Sequence, residues 1–306
     1  MKRTTRFAVL AAAVTALACQ SCEWFGTGKG GAEDSLDAPA YCTVSFVDSV
    51  TILDASAYQE MHIDFPAEED SSLVSQAVLA WLCEQVRDCS YPDFSGEGID
   101  TAFTAELNGD SFAEDYVNFF ARKGLERMTD DLREMAKEGY GGSFLNNLTI
   151  SLAEQTHDYL TFTLGYEVYT GGAHGGYCAE GATFSRRDGS RFSWSCFDPD
   201  KRAEMVELLK HGLMGYFSSS EEQVTTDSAL FDFLLLFDDP DTPENELEFG
   251  LPLPQADPWL TREGLCFIYQ QYEIAPYAAG LPNVTLPVDA VKDYLSEEGR
   301  RFLNLK

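Results

Sequence analysis

The sequence predicts an α+β fold, an antiparallel or mixed sheet packed with helices, built as two subdomains or as one merged globule. Three observations predict it. Leu160, Phe162, Leu164, Tyr166 and Val168 alternate with Thr161, Thr163, Gly165, Glu167 and Tyr169, a period of two over ten residues that a helix cannot produce. Phe112, Tyr116, Phe119, Phe120, Leu125, Met128, Leu132 and Met135 instead form one stripe at helical spacing. Asp188-Gly189 sits between two short extended runs, 183–187 and 190–194, as the turn pair of a type I′ hairpin. Hairpins among interspersed helices favour antiparallel pairing over a doubly wound parallel sheet.

The elements follow in order from Tyr41. Val44, Phe46, Val50 and Ile52 fit strand spacing, and Met61, Ile63 and Phe65 alternate before Pro66 ends the run. A helix follows, capped by Asp70 or Ser71, with Leu73, Ala77, Trp81 and Val74, Val78, Leu82 three and four apart. The long aromatic stripe is the second helix, with Gly139 as its C-terminal cap. Leu148, Ile150 and Leu152 precede the long strand at 160–169. Asp198-Pro199 reads as N-cap and first residue of a helix running to about Phe217. Beyond it lie a short apolar helix or turn (231–237), extended segments at 246–249, 259–261 and 265–269, and one or two helices between Val288 and Leu303.

The chain begins with an address rather than with structure. Lys2, Arg3 and Arg6 precede an apolar run from Phe7 to Ala18, too short for a stable membrane span, which ends in Ala16-Leu17-Ala18. Residues 1–18 are therefore expected to be a signal peptide. The residue after it is Cys19, and small residues leading into a cysteine match a bacterial lipobox, so Cys19 is the expected lipid attachment site, with plain secretion as the alternative. Residues 19–40 mix Gly, Ala and acids without an apolar period and read as a flexible tether. Two domains are expected after it, 41–158 and 159–306.

The chain has 306 residues, of which 51 are Asp or Glu against 21 Lys or Arg, for a net charge of −30. Loss of residues 1–18, which hold three cations and no acid, takes −30 to −33. Such a balance argues against nucleic acid, whose phosphates require basic groups, and against anionic membrane surfaces. The expected membrane link is the N-terminal lipid alone.

Six cysteines remain after Cys19 and Cys22, and an exported chain meets an oxidising compartment. No CxxC occurs. Cys178 and Cys196 are the best disulfide candidates, because they flank the base of the expected hairpin.

The one stretch that looks built for a purpose is Tyr169-Thr170-Gly171-Gly172-Ala173-His174-Gly175-Gly176. Gly171, Gly172, Gly175 and Gly176 permit positive φ and close approach, and free N–H groups beside His174 would form an anion-binding turn with a proton carrier. The alternative is a tight turn whose histidine bonds a neighbouring carbonyl. The four histidines, His62, His157, His174 and His211, include no HExxH pair, and GxSxG and GxxxxGK[ST] are absent. Catalytic residues, metal ligands and cofactors are accordingly none. The acids at Asp238–Asp241 with Glu244, Glu246 and Glu248 lack EF-hand spacing and read as a solvated loop.

Two runs carry a family resemblance. Tyr166-Glu167-Val168-Tyr169-Thr170-Gly171-Gly172-Ala173-His174-Gly175 resembles the opening of the C-terminal domain of RsiV-like proteins, and Phe267-Ile268-Tyr269-Gln270-Gln271-Tyr272-Glu273-Ile274-Ala275-Pro276-Tyr277-Ala278-Ala279-Gly280 resembles its closing segment. The part from Tyr41 is similar in layout to the domain paired with it in RsiV and in the peptidoglycan deacetylase PdaC. The resemblance implies an extracellular lysozyme-binding module. It transfers neither an anti-sigma role, since no cytoplasmic or transmembrane segment is present, nor deacetylase chemistry, since the metal-binding histidine pair has no counterpart. The expected function is a non-catalytic envelope binding module for a basic protein such as lysozyme or for a peptidoglycan fragment. The alternatives are an enzyme on wall glycan or peptide and a structural lipoprotein without a soluble ligand.

Overall fold

A computed structural model describes residues 41–67, 70–91, 103, 111–139, 141–235 and 250–305. The expected signal peptide, the tether with Cys19 and Cys22, the acidic run 238–248, the extended segment 246–249 and residues 236–237 lie outside them. Strands β1 (Tyr41–Ile52) and β2 (Ala55–Pro66) form an antiparallel hairpin that turns at Leu53-Asp54, with Leu53 at φ 52°. β2 buries every second residue, from Ala55 to Phe65. The chain then crosses over through helices α1 (Leu73–Asp88) and α2 (Phe112–Lys137) and returns as β3 (Ser143–Gln155), parallel to β2. β4 (Tyr159–Tyr169) and β5 (Gly176–Ser185) add antiparallel neighbours, giving a five-stranded mixed sheet in the order β1-β2-β3-β4-β5.

The helices cover the face that carries Met61, Ile63, Leu148, Ile150, Leu164 and Phe162, and they meet it with Val78, Trp81, Leu82, Tyr116, Val117 and Phe120. The alternation and the stripe seen in the sequence are thus two halves of one core. Ser72, rather than Asp70 or Ser71, caps α1, accepting from Ser75 N. Asp70 takes a supporting part, because its carboxylate accepts from Ser72 N and Ser75 Oγ. α2 ends where expected, with Gly139 at φ +84° just past its last turn.

The opposite face of β4 and β5 packs against the C-terminal part. There β6 (Trp259–Thr261), β7 (Gly264–Ile268) and β8 (Asn283–Leu286) form an antiparallel sheet in that order. Around it are α3 (Arg202–Phe217), α4 (Asp227–Phe231), α5 (Val288–Val291) and α6 (Glu297–Phe302). This second core is centred on Phe192, Leu209, Leu265, Phe267, Tyr269 and Ile274. The two parts meet at Gly181, where a β-carbon would lie 2.2 Å from Trp259 Cγ, so only glycine lets the indole lie on the strand. Leu260 N also donates to Thr183 Oγ1 at 2.9 Å. The boundary expected near residue 158 falls in the β3–β4 turn, so strands from both expected domains share one sheet.

One expected hairpin is corrected. β5 starts at Gly176 and spends its length on β4, while the segment after Asp188-Gly189 pairs with its end for only a few residues, through the Ser185 N to Ser190 O bond, the Phe184–Arg191 bridge and the Phe192 N to Thr183 O bond. The turn is not type I′, since Gly189 has positive φ (72°) and Asp188 does not. The physical reason is Trp194, whose N and Nε1 donate to Asp257 Oδ1 and to the Pro254 and Ala256 carbonyls and draw the chain off the sheet. Cys178 and Cys196 therefore do not flank a hairpin base. Cys178 sits opposite Tyr166 on β4, Cys196 is sealed in the second core, and both are free thiols, as are Cys42, Cys83, Cys89 and Cys266.

Candidate functional site

The glycine-rich run is the β4–β5 turn. Gly171 and Gly172 both take positive φ, +98° and +92°, a conformation that excludes side chains cheaply only with glycine. Tyr169 OH staples the turn by donating to Gly172 O at 3.0 Å. At its far end a β-carbon on Gly175 would lie 2.8 Å from Val168 O. Gly176 opens β5.

His174 stands exposed on this turn with both ring nitrogens engaged. Nδ1 is 3.0 Å from Gly175 O, and a carbonyl only accepts, so Nδ1 carries the hydrogen. Nε2 is then the acceptor for Tyr272 OH at 3.0 Å. The ring stacks on Tyr277, with centroids 3.9 Å apart. The carbonyl-bonded turn foreseen as the alternative is thus present, and it is joined to something the sequence did not signal, the second motif.

That second motif leaves β7 and folds back over β5. Gln270 grips Ala179 at both backbone groups: Nε2 donates to Ala179 O at 2.8 Å and Oε1 accepts from Ala179 N at 3.2 Å. Gln271 Oε1 accepts from Tyr177 N at 2.9 Å. The two amides thereby occupy the outer edge of β5 as another strand would. Glu273 ties the loop to itself, accepting from Gln255 N and Gln270 N at 2.7 Å each. Burial pushes its carboxyl above the usual range despite those bonds. Between these anchors Tyr272 is held at φ 64° and left 54% exposed. A left-handed tyrosine costs about 1–2 kcal/mol, and in return the ring is less than half covered, its hydroxyl bonding His174.

The site is therefore a cluster of exposed His174 and Tyr272 with half-buried Tyr277, built where the glycine-rich turn and the segment after β7 interlock. It presents ring faces and a phenol–imidazole hydrogen bond. The predicted Gly171, Gly172, His174, Gly175 and Gly176 are brought together in it, whereas Cys178 lies behind on the strand and Cys196 elsewhere. The tyrosines and glutamines were visible as a motif but their roles were not, because nothing local shows which strand edge a glutamine will cap.

Strand register produces a second arrangement with no sequence signature. On the face of β1 and β2 away from the helices, Ser45 Oγ is 2.8 Å from His62 Nδ1, His62 Nε2 is 2.7 Å from Glu60 Oε1, and Tyr58 OH donates to Glu60 Oε2 at 2.8 Å. Ser45 is exposed on the edge strand and the chain of bonds lies flat on the sheet. Among the described residues no group of three His, Cys, Asp or Glu is placed to hold a metal ion, and no helix is long and apolar enough to cross a membrane.

Comparison with known proteins places this geometry in context. Residues 199–289 match the family model described as "Protein of unknown function (DUF3298)". That range contains the second motif and leaves the β4–β5 turn outside. The crystal structure of a DUF3298 family member from Bacteroides fragilis is similar to this chain, with a TM-score of 0.66 at 18% identity over 88% of this chain and 98% of the other. At that identity the likeness is one of fold. A DUF3298 family protein from Pseudomonas aeruginosa PAO1 has a TM-score of 0.47 at 15% identity, covering 85% of this chain and 95% of its own. No curated protein matches the chain.

Proposed function

We propose that this protein is an exported, RsiV-like module of a bacterial cell envelope, tethered by lipid at Cys19, which binds a basic protein such as lysozyme through the His174–Tyr272–Tyr277 cluster. The observation that carries the reading is Tyr272: a strained backbone holds an aromatic ring in solvent, at the junction of the two motifs that resemble the lysozyme-binding family. Tyrosine supplies contact area with few rotors to freeze, which suits a recognition surface. The charge of −30 complements a cationic partner and speeds its encounter. His174 supports binding over turnover, since Nδ1–H and Nε2 are both spent within the protein.

The test is retention of hen lysozyme on the immobilised protein at about 50 mM and about 500 mM salt, conditions that bracket strong and weak screening. Retention at low salt, weakened at high salt and lost in Tyr272→Ala, supports the reading. Absence of retention by the wild-type chain at low salt overturns it. A peptidoglycan-fragment column run alongside addresses the second ligand class, for which the stacked Tyr277 and His174 rings offer an apolar face.

A further inference from the structure

A cleft of about 320 Å³ opens at the start of α3, a volume at the low end of small-molecule sites. Trp194, Phe197, Met205 and Leu253 make its apolar wall, and Asp198, Arg202 and Tyr294 stand around it. The wall is rigid where it matters. Trp194 Nε1 donates to Pro254 O and Ala256 O at 3.0 and 3.1 Å, its N donates to Asp257 Oδ1, and its ring packs on Phe197 with centroids 5.0 Å apart. Asp198 is fixed by its N donating to Tyr294 O at 2.8 Å and by Oδ1 capping Asp200 N at 3.0 Å, which leaves Oδ2 without a partner among the described residues.

Arg202 is the cationic member of the lining. In a chain with 51 acids and 21 bases, Arg87, Arg133, Arg187, Arg191, Arg262 and Arg300 each pair with a carboxylate. Exposed Arg202, like Arg122 and Arg301, pairs with none among the described residues, and Asp198, the extended residue that caps the short turn Pro199–Lys201 leading into α3, is not paired with it. Two opposite charges thus flank one small apolar cleft without neutralising each other. We propose that this cleft binds a free α-amino acid with an apolar side chain, its carboxylate on Arg202, its ammonium on Asp198 Oδ2 and its side chain against Trp194, Met205 and Leu253. A zwitterion also carries no net charge for the acidic surface to repel, whereas a simple anion would meet that field. The cleft shares no residue with the tyrosine cluster, so either reading stands or falls without the other.

The test is calorimetric titration of the full chain with phenylalanine, with N-acetylphenylalanine and phenylalaninamide standing in for peptide ends. Phenylalanine is expected to bind and each blocked form to bind at least tenfold more weakly. Arg202→Gln and Asp198→Asn are each expected to lose tenfold or more for phenylalanine. Asn caps a helix as well as Asp, so the second variant keeps the turn that shapes the cleft. No heat with phenylalanine up to about 10 mM, a ceiling that admits even millimolar affinity, overturns the proposal. So does a blocked form that binds as tightly as phenylalanine, or an Asp198→Asn chain of undiminished affinity.

Discussion

Replacing Gln270 with alanine tests the central structural claim, that a side-chain amide stands in for a missing strand on β5. The native amide makes a 2.8 Å bond to Ala179 O and a 3.2 Å bond to Ala179 N, and Ala179 is only 7% exposed. Each bond contributes about 0.5–1.5 kcal/mol net, and a buried group left unpaired costs about 1–3 kcal/mol. The shorter bond sits at the upper end and the longer at the lower. Water entering the space left by the shortened side chain recovers part of the loss, so the expected destabilisation is about 2 kcal/mol. For a folded body of this size that lowers Tm by about 4–8 °C. The assay is urea unfolding with amide hydrogen exchange read at Ala179 and Tyr177. Gln271→Ala, which removes the single bond to Tyr177 N, is expected to cost about 0.5–1.5 kcal/mol. A Gln270→Ala chain within about 0.5 kcal/mol of wild type, the range of an ordinary surface substitution, with the Ala179 amide still protected, would refute the clamp.

Three further outcomes are expected. Gly181→Ala puts a β-carbon 2.2 Å from the buried Trp259 ring and should cost about 1–3 kcal/mol with a shifted tryptophan emission spectrum; an unchanged unfolding midpoint and spectrum would mean that the two parts do not meet there. The Asp188 carboxyl is held well below its usual range, chiefly by hydrogen bonds from Ser190 Oγ and N, with smaller help from Ser185 and Arg187. A depressed acid contributes stability above its unfolded value near 4, and that contribution fades as pH falls towards the lower folded value. Asp188→Asn, which keeps the acceptor and loses the charge, should flatten the unfolding midpoint between about pH 5 and 2, and a curve parallel to wild type would contradict this. Among the six described cysteines of reduced protein, Cys42, exposed on β1, should alkylate first. Cys266, buried with its thiol pushed up to about 12 by desolvation, should react only on unfolding. Equal labelling rates by mass mapping would refute the packing around β7.

How much of this was legible beforehand divides along a physical line. Period-two alternation at 160–168 and the stripe at 112–135 fixed the kind of element and the face each would bury, because those depend only on side-chain geometry along a strand or helix. Asp198-Pro199 and Gly139 marked a helix start and a helix end for equally local reasons, namely orphan backbone groups that need partners. The −30 charge and the positively led apolar run before Cys19 are likewise properties of the chain itself.

Partner choice was not legible. β3 lies parallel to β2 because α1 and α2 carry the chain across and bury their stripe on that face, which no window of the sequence contains. The Asp188-Gly189 turn is present but its second arm pairs with β5 only as far as Phe192, beyond which Trp194 bonds the distant Pro254 and Ala256 carbonyls instead. His174 meets Tyr272 and Tyr277 only where the segment after β7 folds back on β5, and Asp198 and Arg202 share a cleft with Leu253 only once the second core has formed. Local sequence decides what each segment becomes. Competition for buried surface and hydrogen bonds between distant segments decides which of them touch, and the candidate sites exist only at those contacts.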